Sequence, residues 1–130
     1  MGTPPTNFFT VKIEKTGDGL AAVCAGFRYP VPSPLTGALA PYEGKEAVLG
    51  IRPEFFGVSP AMERGESWIC DGTIDFAEPQ GSYSILITHI GGEEIKIVSS
   101  EFLELSLNTK VALSVKEAMF FDPSSGVRIQ

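Results

Sequence analysis

Ten prolines and fourteen glycines cut this chain of 130 residues into short apolar runs, which limits its fold more than any other feature. Punctuation of that density suits strands joined by tight turns, so the chain reads as an all-β domain. Phe9-Thr10-Val11-Lys12-Ile13-Glu14 alternates apolar with polar residues and places Phe9, Val11 and Ile13 on one face of a strand. Thr16-Gly17-Asp18-Gly19 supplies a hairpin turn, and Leu20 to Cys24 forms the return strand. Residues 28–45 hold Pro30, Pro32, Pro34, Pro41, Gly37 and Gly44, which predicts an irregular connection with short edge pieces and no helix.

Ala47 to Ile51 reads as a strand stopped by Pro53, and Phe55 to Arg64 as a loop with a helical turn near residues 60–63. Trp68, Cys70, Gly72, Ile74 and Phe76 alternate with Asp71, Thr73 and Asp75 in a further strand. Glu78-Pro79-Gln80-Gly81-Ser82 is a turn. Tyr83 to Ile90 and Glu94 to Val98 form a hairpin around Gly91-Gly92. Val111, Leu113 and Val115 mark another strand, Gly126 to Ile129 a last short one, and Ser100 to Leu107 a brief helix. Strands recurring at hairpin spacing predict small OB-fold-like antiparallel barrels, as two β-rich halves, roughly 7–54 and 67–130, packed together. Residues 1–6 are an extended linker and 7–130 the folded domain.

A domain of this size buries roughly two thirds of its unfolded surface and needs no disulfide. Cys24 and Cys70 lie in apolar stretches without a CxxC or histidine cluster, so they read as buried free thiols in a reducing cytoplasm. The longest nearly unbroken apolar run, Leu20 to Phe27, falls far short of the roughly 20 residues of a membrane helix. The net charge is −6, with six acidic residues in 1–65 and ten in 66–130. An acidic second half repels phosphate backbones and argues against nucleic acid as a partner, although OB folds often bind it.

Catalytic patterns are missing. Gly44-Lys45-Glu46 lacks the upstream glycine and the hydroxyl residue of a P-loop, and Glu46 would repel phosphate. His89, the single histidine, has no nucleophile motif to serve. The pairs Glu93-Glu94 and Glu101/Glu104 read as solvated charges. Arg52-Pro53-Glu54 has two readings. One is a strand terminator with an exposed charge pair worth about 0–1 kcal/mol. The other is a planar guanidinium organising a joint between the halves or a subunit contact.

Four motifs in order carry a resemblance: Gly2-Thr3-Pro4-Pro5-Thr6-Asn7-Phe8, Gly50-Ile51-Arg52-Pro53-Glu54, Glu78-Pro79-Gln80-Gly81, and Phe121-Asp122 with Gly126. Together they resemble the C-terminal regulatory (transport-associated, or TOBE) segment of ATP-binding subunits from sugar-type ABC importers, such as the maltose-transporter ATPase family. Phe55-Phe56 stand where that family commonly has His-Leu, and Ser125 precedes Gly126 where Thr is usual. The resemblance implies a non-catalytic regulatory and dimerisation module without cofactor, ATP and Mg²⁺ belonging to a preceding nucleotide-binding domain. Arg52, Pro53 and Glu54 would form the joint, with Gly81, Phe121, Asp122 and Gly126 as further structural or interface residues. The implied partners are a second copy, membrane permease subunits and a regulatory protein, at the cytoplasmic face of the inner membrane and without membrane insertion. A small-ligand, oxyanion-binding barrel is the competing reading, with Arg28, Lys45 and Arg52 as available cations, and an OB-fold nucleic-acid binder the third.

Overall fold

Alternation along residues 9–14 is realised. In the computed structural model, which describes residues 4–60, 68–90, 92–100 and 109–130, strand β1 runs Asn7–Thr16 and buries Phe9, Val11 and Ile13. A tight turn leads to β2 (Gly19–Cys24), which pairs antiparallel with β1, and then to β3 (Phe27–Pro30) on its far side. The proline-rich connection is not irregular as predicted: it holds a helix, α1 (Ser33–Leu39), and a 3-10 turn, Ala40–Tyr42. Its prolines occupy the N-cap and first-turn positions, where the missing amide has no intrahelical acceptor to lose. Strand β4 (Glu46–Ile51) then pairs with β1.

Beyond β4 a 3-10 turn at Pro53–Phe55 opens directly into β5 (Phe56–Pro60), where a loop is predicted. Phe56 and Val58 alternate inward on this edge strand, and Pro60 ends it where no further ladder bond is needed. Residues 61–63 of the predicted helical turn lie outside the described residues. Next come β6 (Trp68–Pro79), β7 (Ser84–Ile90) and β8 (Glu93–Ser99), then β9 (Lys110–Val115), β10 (Met119–Phe121) and β11 (Arg128–Ile129). Apart from Ser100, the predicted helix at 100–107 lies outside the described residues. Alternation along β6 fails at its ends. Register shifts between Trp68 and Cys70 and between Ile74 and Phe76 reset the side-chain parity. Cys70 and Ile74 are buried as predicted, while Trp68 and Phe76 face outward, 39% and 46% exposed.

The strands form two antiparallel sheets, ordered β11-β10-β4-β1-β2-β3 and β5-β9-β6-β7-β8. The first curls until its far strands meet, with Tyr29 of β3 stacked on Phe120 of β10 at 6.2 Å between ring centres. The second curls likewise, bringing β5 against β8. Two OB-fold-like barrels result, with one strand order: third, second, first, fourth, fifth. The fifth strands are exchanged. Strand β5 follows the four strands of the first barrel but completes the second, and β10 follows the second barrel but completes the first. The sheet boundary therefore does not follow the chain order of residues 7–54 and 67–130. A continuous apolar core runs through both barrels, with Leu49, Ile51 and Phe120 in one and Ile74, Ile97 and Leu113 in the other. Thr88 is the one buried polar residue among those described, and its Oγ1 donates to the Thr73 carbonyl at 2.6 Å.

Candidate functional site

Each barrel gives up its chain to the other at a crossover, and the two crossovers touch. The first, from β4 to β5, contains Arg52, Pro53 and Glu54. Arg52 is extended (φ −67°, ψ 146°), and its carbonyl accepts from Phe55 N at 2.9 Å, closing the 3-10 turn. Pro53 is buried at the head of that turn, whereas Arg52 and Glu54 are exposed. The Arg52 guanidinium lies 6.0 Å from the Phe55 ring centre, within cation–π range. The second crossover, from β9 to β10, begins at Lys116, whose amide donates to the Phe55 carbonyl at 2.8 Å.

Asn7 fastens the joint from a third side. Its Nδ2 donates to Lys96 O at 2.9 Å and to Ile51 O at 3.3 Å, and its Oδ1 accepts from Lys96 N at 3.1 Å. The carboxamide thus stands in for a neighbouring strand at the edge of β8 and ties that edge to the end of β4. Beside the turn, a slit of about 80 Å³ opens between β5 and β8, with Glu54, Gly57, Ser99, Ser100 and Lys116 along it. The slit therefore has among its lining residues one ammonium, two serine hydroxyls and one carboxylate.

Gly50 and Phe121 meet on the outer wall above the joint. A Cβ on Gly50 would stand 3.1 Å from the Phe121 ring and 3.2 Å from that of Phe8, and the two rings pack edge to face with centres 6.0 Å apart. Asp122 and Gly126 organise the C-terminal hairpin. Asp122 Oδ1 accepts from the amides of Ser124 (2.8 Å) and Ser125 (2.9 Å), and Gly126, at φ +75°, donates to the Asp122 carbonyl at 2.8 Å. Tyr42 Oη donates to Asp122 Oδ2 at 2.6 Å, latching the β3–β4 connection to this hairpin. The bond from Tyr42, then the Ser125 and Ser124 amides, hold the Asp122 carboxyl down at about 2. The same bond pushes the Tyr42 hydroxyl above its ordinary value. Gly81, at φ +91°, lies in the β6–β7 turn.

Other candidates stand apart. His89 Nδ1 pairs with Asp75 Oδ2 on the outer wall of the second barrel, beside Glu94 across the strand pair. Both cysteines are free, Cys70 buried and Cys24 half-buried. Burial, then the charge of Asp71, pushes the Cys70 thiol up to about 11, so it is protonated at neutral pH. Arg52, Pro53 and Glu54, expected from the sequence, lie at the crossover, where Asn7, Lys96 and Lys116, with Tyr42 at the C-terminal hairpin, are added only by the fold. A signal for Lys116 existed. Glu46-Ala-Val-Leu-Gly-Ile-Arg52 and Lys110-Val-Ala-Leu-Ser-Val-Lys116 share an apolar pattern and end on a cation at equivalent crossovers.

Comparison with known proteins fits this geometry. The family model of the MalK OB fold domain matches residues 2–56, ending where the chain leaves the first barrel. No curated protein sequence matches the chain. Among solved structures, the chain is similar to the cytoplasmic molybdate-binding protein ModG in a crystal form with molybdate bound. The TM-score is 0.69 at 17% identity, over 90% of this chain and 96% of that one, a likeness of fold. The chain therefore has the fold of paired OB-fold-like barrels, and its first part matches the MalK OB fold domain.

Proposed function

We propose that this chain is a non-catalytic regulatory and assembly module of the ATP-binding subunit of an ABC importer for sugars or related small solutes. The observation that carries this reading is the family match over residues 2–56, which spans both the linker-like opening and the Gly50–Glu54 joint. Residues 1–6 would lead from a nucleotide-binding domain that holds ATP and Mg²⁺, on the cytoplasmic side of the membrane. The joint would hold the two barrels as one rigid body, so that a push on either reaches the other. A second copy meeting this body would keep paired ATPase subunits together through the cycle, and a permease subunit or regulatory protein docked on it would bias their open–closed equilibrium. Arg52, Pro53 and Glu54, with Phe121 and Asp122, serve this role as structural residues. Sedimentation equilibrium of the chain tests the assembly: a dimer is expected below about 1 mM, and a strict monomer there counts against it.

A second reading has its own observation. The slit beside the joint is lined by Lys116 and Ser100, an ammonium and a hydroxyl suited to a small oxyanion, and the similar ModG structure has molybdate bound. Glu54 in the same slit and the net charge of −6 oppose it. Calorimetry with molybdate, sulfate and glycerol phosphate decides: saturable heat abolished by Lys116→Ala supports an oxyanion site, and no heat from any of them removes it.

A further inference from the structure

Apart from the slit beside the turn, the barrels border a second cleft, of about 260 Å³. Phe8, Thr10 and Cys24 form the wall from the first barrel, Ile90 and Glu93 the wall from the second. Its volume lies just under the roughly 300–1,000 Å³ of clefts that hold drug-sized ligands, so it suits something smaller. Three features set its chemistry. Glu93 is the one charged residue lining it among those described, and it is a carboxylate. Phe8 remains 59% exposed despite its ring contact with Phe121, so a residue lining the cleft keeps aromatic surface open. The hydrogen-bonding side chains besides Glu93 are one hydroxyl and one thiol, from Thr10 and Cys24. Glu93 also helps raise the Cys24 thiol pKa, after burial, in keeping with a carboxylate and a thiol on facing walls.

An anion would meet like charge here, and a sugar would find only one hydroxyl, one thiol and one carboxylate among the side chains. A cation with an apolar surface satisfies every wall: its charge faces the carboxylate, its methyl or methylene groups the ring and Ile90. We propose that this cleft binds a small organic cation of the ammonium type, its charge on Glu93 and its apolar surface on Phe8. Because one wall comes from each barrel, the occupant bridges them.

Titration of the whole chain with choline tests the site, alongside the neutral carbon isostere that carries a tert-butyl group in place of trimethylammonium. Choline is expected to give saturable heat with a Kd at or below about 1 mM, and the isostere to bind at least about tenfold more weakly. Glu93→Gln weakens choline about tenfold, and Phe8→Leu about fivefold. Glu93 is exposed at the start of β8, so its substitution leaves the core untouched. Bound choline also slows alkylation of Cys24 by iodoacetamide in the unsubstituted protein. No saturable heat up to about 10 mM, equal binding of the isostere, or unchanged affinity in Glu93→Gln overturns the proposal.

Discussion

The two barrels share one strand order but use glycine on opposite sides of their walls. In the first barrel Gly50 leaves room outside, where the Phe8 and Phe121 rings close over the strand. In the second, Gly72 leaves room inside, where a Cβ would stand 2.8 Å from Thr88 Oγ1 and 2.9 Å from Leu113 Cδ1. The outer vacancy is filled by rings that can swing toward solvent. The inner one is filled by a core that cannot. The same residue type is thus tolerant in one barrel and strict in the other, because packing density differs on the two sides of the wall.

The exchanged strands put the largest effect first. Phe120 is fully buried on β10, and Phe120→Ala is expected to cost about 3–5 kcal/mol in denaturant unfolding. Val58→Ala on β5, the matching strand of the other barrel, removes less volume and should cost about half that. Equal losses would mean that the barrels do not depend on their fifth strands in the same way. Gly72→Ala comes next, at about 1–3 kcal/mol from overpacking, while Gly50→Ala should stay within about 1 kcal/mol. If thermal melts rank these two in the reverse order, the inside–outside contrast fails. Asn7→Ala removes the carboxamide that joins β4 to β8 and should cost about 1–2 kcal/mol, with faster hydrogen exchange at the Lys96 amide.

The smallest effect concerns the latch of the first barrel, which has no described counterpart in the second. The Asp122 carboxyl is held below its unfolded value, so its contribution is present above about pH 4 and fades as pH falls through about 2. Tyr42 works in the opposite sense, because its hydroxyl is raised: that contribution is present below about pH 10 and fades as pH rises through the raised value. Asp122→Asn should therefore lower stability at neutral pH and converge with the unsubstituted protein near pH 2. Curves that stay parallel between pH 5 and 2 would show that the latch does not titrate.

Local patterns were legible and long-range pairing was not. The β1–β2 hairpin, the end of β4 at Pro53 and the β7–β8 hairpin could be read because alternation and turn residues are neighbours in sequence. Strand β5 was hidden because five residues with a glycine and a terminal proline look like loop until an edge position excuses them. Helix α1 is hidden because proline density argues against a helix, whereas Pro32 and Pro34 sit at the N-cap and first turn, where proline is compatible with one. At the site, Arg52 and Glu54 could be found from Pro53. Asn7 and Lys96 are 89 residues apart in sequence and meet only once the barrels have formed.

The strand exchange also governs how the protein must be made. The first barrel lacks its closing strand until β10, near the C-terminus, pairs with β4. On the ribosome the early strands therefore wait with an open edge while the second barrel is still being synthesised. Such a chain gains high contact order and slow, all-at-once closure, and its hazard is an unpaired β3 or β4 edge exposed to other nascent chains.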